Sequence, residues 1–277
     1  MIVPIVIHAG AEVAVFPGDD RILLGEGLFE TLRVVEGKPC YPRHHWFRLM
    51  QSADMLGIDV DLPYCEWVIH LEHSLRKANL ETGGVKVLLG AGSAPRGMLT
   101  KGEQPRLVLT PFSCAVNTKP IRLISAPWLR DAANPVYRHK SVNYLEAIMA
   151  RRYAETAGAD DALFFNRENT AMETTIANLF LISGDTLYTP SLSSGVLPGI
   201  IRGRILELGK EQGIACLETE LTKNQLEQAD ALFLCNALQG IRAVQSWDGF
   251  TYNTSHPLAA TVTELLSKDT CHERNSR

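Results

Sequence analysis

Two six-residue runs, "DALFFN" (Asp161–Asn166) and "NLFLIS" (Asn178–Ser183), constrain this chain most. Each is almost wholly apolar, short for a helix and bounded by turn-forming residues, which is the pattern of a strand buried in a sheet. Between them lies the polar stretch "RENTAMETT", and "SGD" after the second supplies a hairpin turn. Four other segments read as strands: "GLFETLRVVEG", "VKVLLGAG", "PRLVLTPF" and the late run "ALFLCN".

Helical segments alternate with these. "RHHWFRLMQSADMLGI" places Trp46, Leu49, Met50 and Ala53 at helical spacing, with Gly57 as a stop. "CEWVIHLEHSLRKANL" and "GIIRGRILELGKEQG" read the same way. A further helix is expected from Asn143 to Ala157, with Leu145, Ile148, Met149 and Tyr153 on one face. The mixture predicts an α/β (mixed α+β) chain. A polar, proline-bounded stretch at 113–120 predicts a linker, with one domain over 1–112 and another over 121–277. The last eleven residues, "SKDTCHERNSR", are polar and expected to fray.

Composition excludes several function classes. A net charge of −4 with scattered Lys and Arg gives no basic footprint for nucleic acid. The six cysteines are widely spaced without a C-x-x-C pair, as in a reducing cytosol. The start "MIVPIVIHAG" is apolar, lacks a basic leader and reads as a first strand. No apolar run approaches the roughly 20 residues that cross a bilayer. A cytoplasmic protein that does not bind membranes is expected.

Motifs for metal and nucleotide are weak. Glu66, His70 and His73 share a helix face without a recognised ligand spacing, so an exposed polar face is the better reading and no metal is expected. "GAGSAPRG" has neither G-x-G-x-x-G spacing nor a P-loop ending.

Lys140, in "VYRHKSVNYLEA", is different. A lysine that attacks a carbonyl needs a neutral amine, which burial or neighbouring cations favour. Arg138 and His139 supply such charge or simply face water. Glu173, in "AMETTIANLFLI", precedes a buried strand, where a carboxylate is costly unless it meets a cation. The plain alternative is a loop acid in solvent. "GVLPGIIRGR" starts a helix at Pro198-Gly199 whose first amides, on Gly199, Ile200 and Ile201, suit an anion. Arg48 on the first helix can add a charge-assisted bond to a phosphate, or it is an ordinary surface arginine.

Taken in order, "GEGLFETLRV", the stretch Lys140 to Arg202 and "NALQGIRAV" resemble the class IV pyridoxal-phosphate enzymes. That family contains branched-chain aminotransferases, D-amino acid aminotransferases and aminodeoxychorismate lyases. The resemblance implies a two-domain class IV aminotransferase-like fold with pyridoxal 5'-phosphate in the interdomain cleft of a homodimer. It implies that Lys140 is the Schiff-base lysine and proton shuttle, that Glu173 keeps the pyridine nitrogen protonated, and that Arg48 binds the phosphate. Leu197 would pack on the ring, Ile200 and Ile201 would offer amides to the phosphate, and Tyr144 would lie near the phenolic oxygen. Ile201 stands where the family more often has Thr, which removes a hydroxyl and leaves the amide.

"GSAPRGM" and "FLCNALQG" look more like the lyases than the aminotransferases, although Met98 stands where the lyases carry Tyr. Arg96 would then meet a substrate carboxylate, with a loop charge on the rim as the plain alternative. Phe29 is the other substrate-side candidate, and Asn236 would lie near the phosphate or substrate. The implied activity is conversion of 4-amino-4-deoxychorismate to 4-aminobenzoate and pyruvate, in folate synthesis. The alternative is a transaminase acting on D-amino or branched-chain amino acids.

Overall fold

The computed structural model describes residues 5–8, 11–13 and 19–275. Their contacts divide the chain into two units. One takes in the chain up to Ala115 with His139–Asn143 and the end from His272; the other comprises Val116–Arg138 and Tyr144–Cys271. The Lys140 segment, expected in the C-terminal part, is thus grouped with the first unit.

The first unit holds an antiparallel sheet of β1 (Ile5–His8), β2 (Ala11–Val13), β3 (Gly27–Val35), β4 (Lys38–Pro39), β5 (Thr82–Gly90) and β6 (Arg106–Phe112). Their spatial order is β2-β1-β6-β5-β3-β4. The expected first strand covers only Ile5–His8 of the opening stretch, the rest of which lies outside the described residues. Helices α1 (Pro42–Leu56) and α2 (Tyr64–Ala78) supply the other side of the core. Pro42 opens α1, and Gly57, at φ +68°, closes it as the sequence predicts. Leu28, Leu32, Leu49, Trp67, Leu71 and Val87 form the centre of this core. Side chains alternate along β3, so Leu28, Glu30 and Leu32 share one face. A carboxylate therefore stands in an otherwise apolar row.

The second unit contains β7 (Ile121–Arg130), α3 (Leu145–Thr156), β8 (Asp161–Asn166), β9 (Ala171–Thr174), β10 (Asn178–Ser183), β11 (Thr186–Pro190) and α4 (Ile200–Glu211). It continues with β12 (Ala215–Thr219), α5 (Lys223–Glu227), β13 (Ala231–Asn236), β14 (Gly240–Trp247), β15 (Phe250–Thr251) and α6, which starts at Pro257 and runs to Asn275. The sheet runs β12-β11-β10-β13-β14-β7-β8-β9, with β15 on β14. Strand β9 pairs with β10 as well as β8, so six strands close on themselves. Every residue of β8 is buried, because Leu163 and Phe165 face one cluster while Ala162 and Phe164 face another. Burial on both faces explains why that strand is apolar throughout rather than alternating.

Two expectations need correction. Of the last eleven residues, those up to Asn275 continue α6 instead of fraying, and the final two lie outside the described residues; Glu264 and Lys268 pair one turn apart at 2.6 Å. On α3 the buried side is Ala147, Ala150 and Ala154, small enough for the helix to lie close on the sheet. Leu145, Ile148, Met149 and Tyr153 are all exposed. Cys40, Cys65, Cys114, Cys216 and Cys235 are free thiols, and no described helix is long and apolar enough to cross a membrane.

Candidate active site

The functional side chains gather in two clusters, one in each unit. In the first, the short segment around Lys140 lies against the start of β3. Leu28 and Ser141 form an antiparallel bridge, Phe29 N–H donates to the Lys140 carbonyl at 2.8 Å, and Val142 N–H donates to the Gly27 carbonyl at 3.0 Å. Asn143 Nδ2 donates to the Gly25 carbonyl at 3.1 Å, and His139 Nδ1 lies 3.1 Å from Ser52 Oγ on α1. A lysine in a proline-containing connection is thereby held by strand-like pairing.

Its amine nitrogen lies 4.4 Å from the centroid of the Phe29 ring, and Lys86 Nζ lies 4.7 Å from the same ring. Partial burial, followed by the charge of Lys140, lowers the pKa of the Lys86 amine. Two lysine amines thus approach one aromatic ring.

Arg48 is buried on α1, where the sequence leaves open an ordinary surface arginine. Its Nε donates to Glu30 Oε1 at 2.8 Å and its Nη2 to Glu30 Oε2 at 2.6 Å. His45, one turn earlier, places Nδ1 at 2.6 Å from Glu30 Oε2. Burial raises the Glu30 carboxyl, but Arg48 and His45 outweigh it and hold the pKa at about 2. Burial pulls the His45 pKa down against the opposing pull of Glu30. The ionised carboxylate can only accept, so the neutral imidazole carries its proton on Nδ1.

In the second cluster, Glu173 on β9 faces Asn178 on β10. Asn178 Nδ2 donates to Glu173 Oε2 at 3.1 Å and to the Leu197 carbonyl at 3.0 Å, while Leu197 N–H donates to Glu173 Oε2 at 3.2 Å. Arg130 Nη1 lies 3.7 Å from Glu173 Oε1, and its Nε donates to Glu146 Oε2 at 2.9 Å. Glu173 is therefore not a solvated loop acid; its carboxylate is mostly buried and meets donors on both oxygens. The β9–β10 pairing sets Asn178 beside Glu173, and the backbone of Leu197 bonds to both side chains.

The start of α4 follows directly. Gly199 is its N-cap, with no side-chain cap on the first amides, which Ile200 and Ile201 carry. A Cβ on Gly199 would stand 1.9 Å from Asn178 Oδ1, so any other residue there forces the amide or the helix start to shift. Glycine thus lets the helix start approach the side chain that orients Glu173.

Tyr144 is the N-cap of α3. Asn236 Oδ1 accepts from the N–H groups of Leu238 and Gln239 at 3.1 and 2.8 Å, so this side chain closes the β13–β14 turn. Arg96 is exposed on the loop after β5 and makes no ion pair among the described residues. Sequence reasoning missed Glu30, His45 and Asn178. The available signal for Glu30 was an acid on the inward row of an apolar strand; for Asn178, an amide opening a buried strand.

The first cluster holds a lysine amine and a buried arginine; the second holds a carboxylate fixed by donors and an uncapped helix start.

The model of the amino-transferase class IV family matches residues 27–247. A crystal structure from Legionella pneumophila, provisionally named a 4-amino-4-deoxychorismate lyase, superposes with a TM-score of 0.91 at 48% identity, covering 93% of this chain and 96% of that one. A provisionally named branched-chain-amino-acid aminotransferase of Methanocaldococcus jannaschii is 32% identical over 88% of this chain and 85% of its own. The aminodeoxychorismate lyase of Vibrio harveyi is 26% identical over 82% of this chain and 85% of its own.

Proposed function

The chain belongs to the class IV aminotransferase family, and on that premise we propose that it is a pyridoxal-phosphate-dependent lyase converting 4-amino-4-deoxychorismate to 4-aminobenzoate and pyruvate. The observation that carries this reading is the 48% identity, over 93% of the chain, to the Legionella protein of that provisional name. The segments "GSAPRGM" and "FLCNALQG" support the lyase branch.

The residues fit the cofactor. Lys140 presents the amine that takes its aldehyde. Arg48 and the amides of Ile200 and Ile201 would hold the phosphate, Leu197 would pack on the ring and Tyr144 would lie near the phenolic oxygen. Glu173 holds the ring-nitrogen proton, because an ionised carboxylate fixed by Asn178 and Leu197 stabilises a cation beside it. When bound, pyridoxal phosphate supplies an aldehyde for the substrate amine and an electron-accepting ring.

Lys140 then acts as the base. Its amine would remove the proton from the substrate's ring carbon bearing nitrogen. The enolpyruvyl ether leaves from the adjacent carbon, its C–O bond breaking, and takes up a proton to become pyruvate. Aromatisation drives this step. Phe29 keeps the amine over one aromatic face, and Arg96 is assigned to a substrate carboxylate. Asn236 serves this arrangement through the turn it closes.

The 32% identity to the archaeal protein keeps an aminotransferase as the second reading. It uses the same lysine and carboxylate and differs in where Lys140 returns the proton. We further propose a homodimer, supported by the exposed apolar stripe of α3.

The test is direct. The purified protein, incubated with aminodeoxychorismate, should generate fluorescent 4-aminobenzoate. D-alanine and L-leucine are run in parallel with 2-oxoglutarate. Glutamate without aminobenzoate would overturn the lyase reading in favour of the aminotransferase. Borohydride should fix the cofactor to the peptide containing Lys140; labelling of another peptide would remove Lys140 from its role.

A further inference from the structure

The Glu30 carboxylate is 1% exposed, and three N–H groups of α1 converge on it. Arg48 meets it with two parallel bonds, a geometry that fixes the guanidinium plane as well as its position. His45, three residues before Arg48 on the same helix face, binds the oxygen that also receives Arg48 Nη2. His45 Nε2 is itself buried without a partner among the described residues.

A buried pair of this kind is weak evidence for stability, since apolar side chains of similar volume often serve as well or better. Orientation is what the geometry supplies. Arg48 has a long side chain with many rotamers, and two bonds to a rigid strand leave it one direction. Glu30 also takes up part of the charge of Arg48, which opposes anion binding. The two effects have opposite signs, so an experiment separates them.

We propose that Glu30 is a positioning residue of the phosphate subsite: it locks the Arg48 guanidinium, with His45 steadying the carboxylate, so that Arg48 meets the phosphate in one orientation. The proposal rests on the assignment of Arg48 to the cofactor phosphate. Orientation outweighs charge neutralisation because Arg48 is itself buried and held by both bonds.

The test compares pyridoxal 5'-phosphate with pyridoxal, which has the same aldehyde and ring without the phosphate. Equilibrium titration of the cofactor-free protein, followed by absorbance, reads both affinities. Glu30→Gln should weaken binding of pyridoxal phosphate by about tenfold or more and that of pyridoxal by less than about twofold. A merely structural role would weaken both equally, and that result overturns the proposal. Unchanged or tighter binding of pyridoxal phosphate overturns it too. If Glu30→Gln does not fold, His45→Leu decides: a loss confined to pyridoxal phosphate supports the proposal, and an equal loss or none refutes it. Arg48→Met provides the separate control. Should it fail to discriminate between the two ligands, the phosphate assignment of Arg48 falls, and the inference with it. If Arg48→Met discriminates and the Glu30 and His45 variants do not, only the inference falls.

Discussion

Phe29 holds Lys140 in two ways at once: its backbone N–H donates to the Lys140 carbonyl at 2.8 Å, and its ring centroid lies 4.4 Å from the Lys140 amine. The first contact survives any substitution at residue 29 except proline; the second needs an aromatic ring. Phe29→Leu therefore isolates the ring. The ring sets where the Lys140 amine sits, and misplacing a reacting group should lower both cofactor affinity and kcat, the latter by about tenfold. Absorbance titration and steady-state rates measure both, and unchanged values would remove the ring from the site.

Asn178 is the side chain that turns a strand-borne acid into an oriented one. Asn178→Ala leaves Glu173 with the Leu197 N–H at 3.2 Å and the more distant Arg130. A loss of about tenfold in kcat/KM is expected from one missing bond to a charged group. Asn178→Asp should be worse by about another tenfold, because two carboxylates at hydrogen-bond distance do not both stay ionised. Equal effects of the two substitutions would argue that the charge on Glu173 does not matter.

The sequence makes some of this site legible and hides the rest for identifiable reasons. Helix α1 is readable from Pro42 to Gly57 because its start, period and stop are all local. Lys140 and Glu173 stand out because each is chemically costly where it sits. Which face of α3 is buried is not readable: Leu145, Ile148, Met149 and Tyr153 reveal a stripe, but the alanines are what the sheet accepts. The pairing of Ser141 with Leu28 joins residues more than a hundred positions apart, and no local pattern encodes it. Glu30 is hidden likewise, since its meaning depends on a helix that follows it. Strand β9 escapes notice because four residues between two turns carry little periodicity.

The exposed stripe on α3 makes a prediction about assembly. Leu145 is 67% and Met149 51% exposed, so a charge at either position still reaches solvent in the isolated chain. Met149→Asp should leave the circular dichroism spectrum of the folded chain nearly unchanged, while Tm falls with the loss of the subunit contact. Light scattering should show a dimer for the wild type and a monomer for the variant. A variant that remains dimeric would place the interface elsewhere.

Glu30 also imposes a pH dependence on stability. Its folded pKa of about 2 lies below the 4.5 of an ordinary glutamate, so the unfolded chain takes up this proton first as the medium is acidified. The associated stability is fully present above pH 4.5 and is lost as pH falls from there towards 2. The difference corresponds to about 3 kcal/mol. Denaturant unfolding of the cofactor-free protein at pH 6 and pH 3 should show a larger acid loss for the wild type than for Glu30→Gln. Identical losses would mean that Glu30 is not ionised in the folded chain.

Gly199 and Asn178 should behave as one unit under mutation. In Gly199→Ala the new Cβ would stand 1.9 Å from Asn178 Oδ1, so either the amide or the start of α4 moves. Moving the amide disorients Glu173, and moving the helix displaces the amides of Ile200 and Ile201. Both routes reduce cofactor affinity. Asn178→Ala removes the atom that is struck, so Gly199→Ala should cost little more in that background. Additivity predicts the product of the two single losses; contact predicts a double variant close to Asn178→Ala alone, with an interaction energy of about 0.5–3 kcal/mol. Cofactor titration of the four proteins in the cycle distinguishes the two, and simple additivity would mean that Gly199 acts on α4 without involving Asn178.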